Sequence, residues 1–209
     1  MTSDEILDLA RLVIQKEIDG IATLIDQLDN GFVEVVRKML NCEGHVLVTG
    51  AGTSNPVAAR LAHLLSCCGT PALFIHPGDS QHGLAGAVTG RDILIAISKG
   101  GETNEINHLA QVAKSRGATV IAMTEKPGST LGEISHTMLI VKAPSDGDPH
   151  GMIATGSSLV NSAMGDALCV VLLKLRGYSL EEFGETHPGG AVGRKLSNSV
   201  FQSSEDTVK

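Results

Sequence analysis

Apolar residues at Ile6, Leu9, Val13, Ile14, Ile18, Ile21, Leu24, Ile25 and Leu28 recur in steps of three and four, which sets them along one face of an α-helix. Thr2 and Glu5 stand at the capping-box spacing at its start. At 1.5 Å per residue such a helix is about 35 Å long, more than a small domain needs for its own core, so a second subunit is expected against it. Asn30-Gly31 is expected to end it, and residues 32–40 then form a shorter helix before a turn at Cys42-Glu43-Gly44. Residues 1–43 are read as a helical extension packing on the domain or on a partner subunit, and residues 44–209 as the domain proper.

Beyond Gly44 the pattern changes to short apolar runs at 45–49, 71–75, 92–97, 119–124 and 137–141. The runs are continuous rather than alternating, as expected of strands covered on both faces. Helical periodicity fills 56–68 and 105–116, and 128–135 allows a shorter helix. A Pro/Gly/Asp loop at 143–154 precedes a helix over 156–176 and another starting at Ser179, and the polar tail from Ser197 onward is expected to fray. Strands alternating with helices make an α/β fold, a doubly wound parallel sheet with right-handed crossovers.

Composition narrows the classes. With 209 residues, 42% of them hydrophobic, the chain fits one globular domain with an appended element. A net charge of -7 gives non-specific nucleic-acid binding the wrong sign. No Trp, one Tyr and four Phe leave almost no stacking surface for single strands or polymeric sugars. The four cysteines show neither C-x-x-C spacing nor the density of a disulfide scaffold, and are read as small buried hydrophobes in a reducing compartment. Vicinal Cys67-Cys68 is the one place where redox chemistry would sit. Acids from Asp4 onward, with no basic region before an apolar stretch, do not resemble a targeting segment, and no run reaches the roughly 18 apolar residues of a membrane span. A soluble, cytoplasmic protein without a nucleic-acid or membrane partner is expected.

Ligands of a doubly wound sheet bind beyond the carboxyl ends of the strands, where neighbouring crossovers leave to opposite faces. The loops after the first and third strands are Gly50-Ala51-Gly52-Thr53-Ser54-Asn55 and Ser98-Lys99-Gly100-Gly101-Glu102-Thr103, both hydroxyl-rich and both opening a helix. Glycines let backbone N–H groups approach an anion, the helix start adds positive partial charge, and hydroxyls donate further bonds. Thr155-Gly156-Ser157-Ser158 offers the same chemistry at a third helix start. Singly, such stretches are ordinary turn and cap sequences; two of them at the expected switch point read as a phosphate site. Its candidate contacts are Gly52, Thr53, Ser54, Ser98, Gly100, Gly101, Thr103 and Ser157. Asn55 in place of the third glycine of G-x-G-x-x-G argues against a dinucleotide, and no Gly-Lys-Ser/Thr of a Walker loop occurs.

Gly50-x-Gly52-x-Ser54, Thr70-Pro71, His76-Pro77, Ser80-x-His82-Gly83, Ile97-Ser98, Gly101-Glu102-x-x-Glu105, Gly165-Asp166-Ala167-Leu168, and His187-Pro188-Gly189-Gly190 with Gly193-Arg194 together resemble the sugar isomerase (SIS) domain over residues 46–196. The resemblance extends in particular to the arabinose 5-phosphate isomerases. It implies a five-stranded, flavodoxin-like parallel sheet, a phosphorylated sugar as ligand, and a homodimer or homotetramer with sites near subunit contacts. By the same resemblance Ser54, Ser98 and Thr103 match phosphate-binding hydroxyls, Glu105 an acid implicated in catalysis, and His187 the family's histidine. Asp146 falls where a second, longer carboxylate is usual. Three positions depart from the pattern: Gly100 replaces the second serine of a Ser-x-Ser pair, Thr53 a lysine, and Leu84 an acid after His-Gly. Lys99 is the nearby cation that could replace the lost charge.

Aldose–ketose isomerisation through an enediol needs a base that moves a proton between neighbouring carbons and a group that moves protons between oxygens. Glu105 and His187 are suitable types, since a histidine works near neutral pH and a glutamate does so once partly desolvated. Apart from the resemblance, Glu105 reads as a solvated acid in a helix's first turn and His187 as a loop histidine. His76 and His82, with Asp79, have spacings permissive for a metal but not diagnostic of one. Positioning sugar hydroxyls, or plain loop hydrogen bonding, is their expected use, and no metal or cofactor is expected. The expected activity is that of a sugar-phosphate isomerase. The alternatives are a non-catalytic sugar-phosphate sensor, against which stands the lack of a helix-turn-helix segment, and an isomerase of phosphorylated hexuloses.

Overall fold

In a computed structural model of the chain, which describes residues 1–144, 148–191, 193 and 194, the five apolar runs form β1 (Val46–Gly50), β2 (Ala72–Phe74), β3 (Ile93–Ile97), β4 (Thr119–Thr124) and β5 (Thr137–Ile140). All pairings are parallel, in the order β2-β1-β3-β4-β5. Every residue of β1 and β3 is buried, which is why their sequences do not alternate. On one face Val46, Val48, Ile95, Ile97 and Met123 pack under α3 (Asn30–Leu40), α4 (Ser54–Cys67) and α8 (Thr155–Arg176). On the other, Leu47, Leu94, Ala96, Val120 and Ala122 meet α6 (Asn104–Ser115) and α7 (Thr130–Ile134). The predicted α/β architecture is the observed one.

The helical extension differs from its reading in two places. α1 (Ser3–Ala22) begins with the expected capping box, Glu5 N donating to Thr2 Oγ1 and Thr2 N to Glu5. It is interrupted at Thr23, and the stripe continues on a short α2 (Leu24–Gln27). Asn30-Gly31, expected to stop a helix, instead opens α3. The carboxylate of Asp29 is the reason: it accepts from Gly31 N at 2.8 Å and Phe32 N at 3.4 Å, and an N-cap overrides the stop signal of the residues that follow it. At the end of α2 the Gln27 amide bonds both backbone groups of Lys142, donating to its carbonyl at 2.9 Å and accepting from its N–H at 2.7 Å.

Between β2 and β3 lie α5 (Pro77–Ser80) and a 3-10 turn (Leu84–Ala87), neither of which the apolar pattern announced. Proline at the first position of α5, behind a His76 that accepts from Asp79 N, is the local signal for it. α8 has the length and apolar content to cross a membrane, where the sequence reading found no such segment. In this fold its Val160, Met164, Leu168 and Leu172 are buried in the core shared with α3 and α4. α9 (Leu180–Thr186) closes the described helices with a second capping box at Ser179 and Glu182. The tail from Ser197 lies outside the described residues.

Of the cysteines only Cys169 is buried; Cys42, Cys67 and Cys68 are half-buried, a correction to their reading as core residues. Burial, and then the neighbouring Cys68 and Asp166, push the Cys169 thiol up to about 12. The vicinal pair is divided between neighbours, with Cys67 Sγ 3.6 Å from His63 Nε2 and Cys68 beside Cys169.

Asp92, 6% exposed, ties the entrances of β1 and β3 together by accepting from His45 N at 2.8 Å, Thr89 N at 2.7 Å and Thr89 Oγ1 at 2.9 Å. Burial pushes this carboxyl up, but the three donors outweigh it and hold the group below its ordinary value. A depressed folded-state value means the stabilisation is complete above about pH 4 and is lost as pH falls through the lower folded value. Asp92→Ala is expected to cost about 3 kcal/mol at pH 7, because it removes three hydrogen bonds to a buried carboxylate. Urea titrations of parent and variant at pH 7, 5 and 3 should show the gap closing only at the acid end.

Candidate functional site

The strand order places the switch between β1 and β3, whose crossovers leave to opposite faces. Gly50 and Ile97 are register partners, so the two loops leave the sheet side by side, about 4.8 Å apart. After β1 the chain folds back so tightly that a side chain at Gly50 would collide with the Ser54 carbonyl. Ser54 N then bonds Ala51 O at 3.1 Å and Asn55 N bonds Gly52 O at 3.1 Å, with Gly52 at φ +56. This is the turn that delivers Thr53 and Ser54 to the start of α4.

The loop after β3 is held from several sides. Ser98, 5% exposed, accepts from Gly101 N at 3.2 Å, and its Oγ lies 3.3 Å from Thr103 Oγ1. Gly101 has φ +71, and a Cβ there would run into Ser129 Oγ. Its carbonyl accepts twice, from Leu131 N at 3.0 Å and Asn107 Nδ2 at 3.1 Å. The Lys99 carbonyl likewise accepts from Glu125 N at 3.1 Å and Thr124 Oγ1 at 3.1 Å. Glu102 accepts from Thr130 Oγ1 at 2.7 Å and Thr130 N at 3.0 Å, which holds its carboxyl below the usual range. Asn107, Glu102 and Thr124 are supporting residues that the sequence reading gave no role. For Asn107 a signal existed, an amide on the otherwise apolar inner face of α6.

Helix capping differs between the longer helices of the molecule. α1, α3, α7 and α9 each begin with a side-chain cap, from Thr2, Asp29, Ser129 and Ser179. α4, α6 and α8 have none: their cap positions are Thr53, Thr103 and Ala154. All three open from the candidate loops; among the other described α-helices only the four-residue α2 also lacks a side-chain cap. At α4 the first N–H groups are held by the Ala51 and Gly52 carbonyls and Pro56 has none, so its contribution there is the positive helix end and the hydroxyls; first-turn N–H groups that lack a side-chain acceptor suit an anion. Buried hydroxyls without a protein partner lie at two nearby positions, Thr49 Oγ1 at the carboxyl end of β1 and Thr155 Oγ1 in the first turn of α8.

The predicted residues distribute unevenly over this frame. Ser98, Gly101 and Thr103 are brought together, with Glu105 in the first turn of α6 one residue beyond Asn104; Glu105 forms no ion pair among the described residues. Gly52, Thr53 and Ser54 form the adjacent turn, Thr53 being exposed. Ser157 is buried near the start of α8. A Cβ on Gly100 would meet nothing within 4 Å, so the missing serine has room. His187 ends α9, stacked on Phe183 with centroids 3.9 Å apart, its Nδ1 2.9 Å from the Phe183 carbonyl and 3.0 Å from Thr186 Oγ1. Those contacts stay within its own helix, and none reaches the loops. His76 caps α5, and His82 is exposed in the same loop. Asp146 lies outside the described residues. Among the described residues no three His, Cys, Asp or Glu side chains are grouped as metal ligands. A depression of about 400 Å³ lies at the opposite, amino edge of the sheet, lined by Arg37, Lys38, Cys42, Arg91 and Asp92 among others, far from the switch point.

The sequence model of the SIS domain matches residues 39–171. An arabinose 5-phosphate isomerase, KdsD, of Yersinia pestis is 40% identical over 184 residues, which are 88% of this chain and 56% of that protein. This chain thus spans little more than half the length of that curated relative. A Listeria monocytogenes structure described as a candidate sugar-phosphate isomerase superimposes with a TM-score of 0.88 at 36% identity, over 90% of this chain and all of its own. An Escherichia coli CFT073 protein in complex with arabinose 5-phosphate gives 0.87 at 29% identity with the same coverage. The matched stretch includes β1 to β5 and both loops of the switch point, and the chain belongs to the SIS domain family.

Proposed function

We propose that this chain is a sugar-phosphate isomerase that interconverts a phosphorylated aldose and ketose, of the arabinose 5-phosphate type, through an enediol. The observation that carries the reading is the Ser98–Thr103 hydroxyl pair at the uncapped start of α6, beside the turn that opens α4 at the switch point, which suits a dianionic phosphate. The similarity to arabinose 5-phosphate isomerases and to a structure holding arabinose 5-phosphate supports the same ligand class. With the phosphate seated there, Glu105 removes the proton from the carbon beside the carbonyl and returns it to the neighbouring carbon. His187 moves a proton from one sugar oxygen to the other, and Asp146 is the second carboxylate of the reaction. Net composition is unchanged: one proton leaves carbon and one arrives on carbon, with the enediol between.

Thr53 favours a second reading. With a neutral residue where the resemblance has a lysine, the same cradle would serve a sensor that binds a sugar phosphate without turning it over. Calorimetry with pentose, hexose and heptose phosphates, followed by turnover assays on those that bind, separates the two. Binding of phosphorylated sugars but not of their unphosphorylated counterparts is expected in both; turnover is expected only of the enzyme.

Ser98→Ala removes a hydrogen bond to a charged group and is expected to weaken binding by about tenfold or more. Gly100→Ser, which has room for its hydroxyl, is expected to tighten it several-fold, as calorimetry would show. Glu105→Gln should leave affinity within about twofold and lower kcat by about 10² or more, the scale of a lost acid–base group. Parental turnover in Glu105→Gln would remove that residue from the mechanism.

A further inference from the structure

The end of the sheet opposite the switch point collects positive charge, although the chain as a whole carries a net -7. The carboxyl end of α3 and the entrances of β3 and β4 surround the depression of about 400 Å³ there. Several bases at this end are tied to neutral oxygens. Arg176 Nη2 donates to the Met39 carbonyl at 2.8 Å and its Nε to Thr70 Oγ1 at 2.9 Å, Lys114 Nζ donates to the Ile134 carbonyl at 2.7 Å, and Arg116 Nε to the Val88 carbonyl at 2.6 Å. Such bonds order the side chains and leave their charges uncompensated. His136 responds to that field: burial first, then Lys114 and Lys38, hold its ring below the ordinary histidine value. Arg37 and Arg91 differ from the braced bases. Both are exposed, both line the depression, and neither guanidinium has a hydrogen bond or ion pair among the described residues.

The negative groups of the lining are largely engaged. Asp92 is saturated by its three donors, and Glu34 accepts from Thr137 Oγ1 at 2.7 Å with Lys38 Nζ 3.5 Å away. Glu43 is the one lining acid without a side-chain partner among the described residues. Burial pushes the Cys42 thiol up, so it adds no charge at neutral pH. The carboxyl end of α3, which alone would repel an anion, is closed off: Asn41 N takes the Arg37 carbonyl at 3.2 Å, and Cys42 N and Arg176 take that of Met39. We propose that the depression binds a small hydrophilic metabolite with two anionic groups, at a site separate from the switch point. Each free guanidinium presents a planar fork that matches a phosphate or carboxylate through two parallel bonds, and two forks on one cavity suit a ligand charged at both ends. The volume falls in the range of about 300–1,000 Å³ usual for small-molecule sites. Among the described residues no aromatic side chain lines the depression, so a nucleobase has nothing to stack on, and the class narrows to bisphosphates and polycarboxylates.

Cys42 lines the depression, so its alkylation by iodoacetamide, a neutral reagent, reads this site and not the switch point. The rate is followed by peptide mass spectrometry on the full chain at constant ionic strength, with inorganic pyrophosphate as the phosphate probe and citrate as the carboxylate probe. At millimolar concentration at least one of them is expected to slow Cys42 about fivefold or more, while Cys67, which does not line the depression, keeps its rate. Arg37→Gln/Arg91→Gln should abolish the protection. Glu43→Gln, which removes the free acid at an exposed position, should lower the half-protecting concentration several-fold, a gain that misfolding cannot mimic. Ser98→Ala should leave protection unchanged, which keeps this test apart from that of the isomerase reading. A Cys42 rate that neither probe changes, equal slowing of Cys42 and Cys67, protection that survives in Arg37→Gln/Arg91→Gln, no gain in Glu43→Gln, or protection lost in Ser98→Ala overturns the proposal.

Discussion

The Gly101 carbonyl is held by two donors from different elements, Leu131 N at the start of α7 and the Asn107 amide in α6. Between them they hold a left-handed residue in a place where no side chain could stand, and the loop after β3 has no freedom to relax. Ser98 and Thr103 converge because of that constraint, and α6 starts where it does for the same reason. A hydroxyl pair 3.3 Å apart on a loop otherwise made of glycines would be of little use if the glycines could move. The bracing by Asn107, Glu102 and Thr124 turns a flexible composition into a rigid cradle.

Electrostatically the cradle is built with little formal charge. The chain carries a net -7, and on the proposed reading the phosphate is held by neutral hydroxyls and by the positive ends of helices. Such groups are short-ranged, so on that reading they would act on a phosphate once it is seated and contribute little to drawing it in from a distance.

The sheet was legible because its physics is coarse. Short continuous apolar runs bounded by turn residues read as strands covered on both faces, and their alternation with helices points to a doubly wound sheet with its ligand loops at the carboxyl ends. The loops opening helices were legible because two Gly- and hydroxyl-rich stretches follow the first and third runs, although each alone is an ordinary turn or cap sequence. What escaped depended on single atoms. Asp29 overrode the stop at Asn30-Gly31 through one carboxylate, and Thr23 broke a helix whose apolar period runs on without a fault. Asn107 looked like an interruption of an apolar face until its partner was known. For His187 the motif was visible, but no periodicity could say that the ring would stack on Phe183 of its own helix.

The amide of Gln27 occupies both hydrogen-bonding groups of Lys142, just beyond the outermost strand of the sheet. In that position it does what one residue of a sixth strand would do. An unpaired strand edge invites the edge of another molecule, and most proteins blunt it with charge, proline or a bulge. Here a side chain from the helical extension supplies the missing rung, so the extension also protects the sheet against edge-to-edge aggregation at β5. At the other margin β2 offers only three residues, too short a template for a foreign strand to hold.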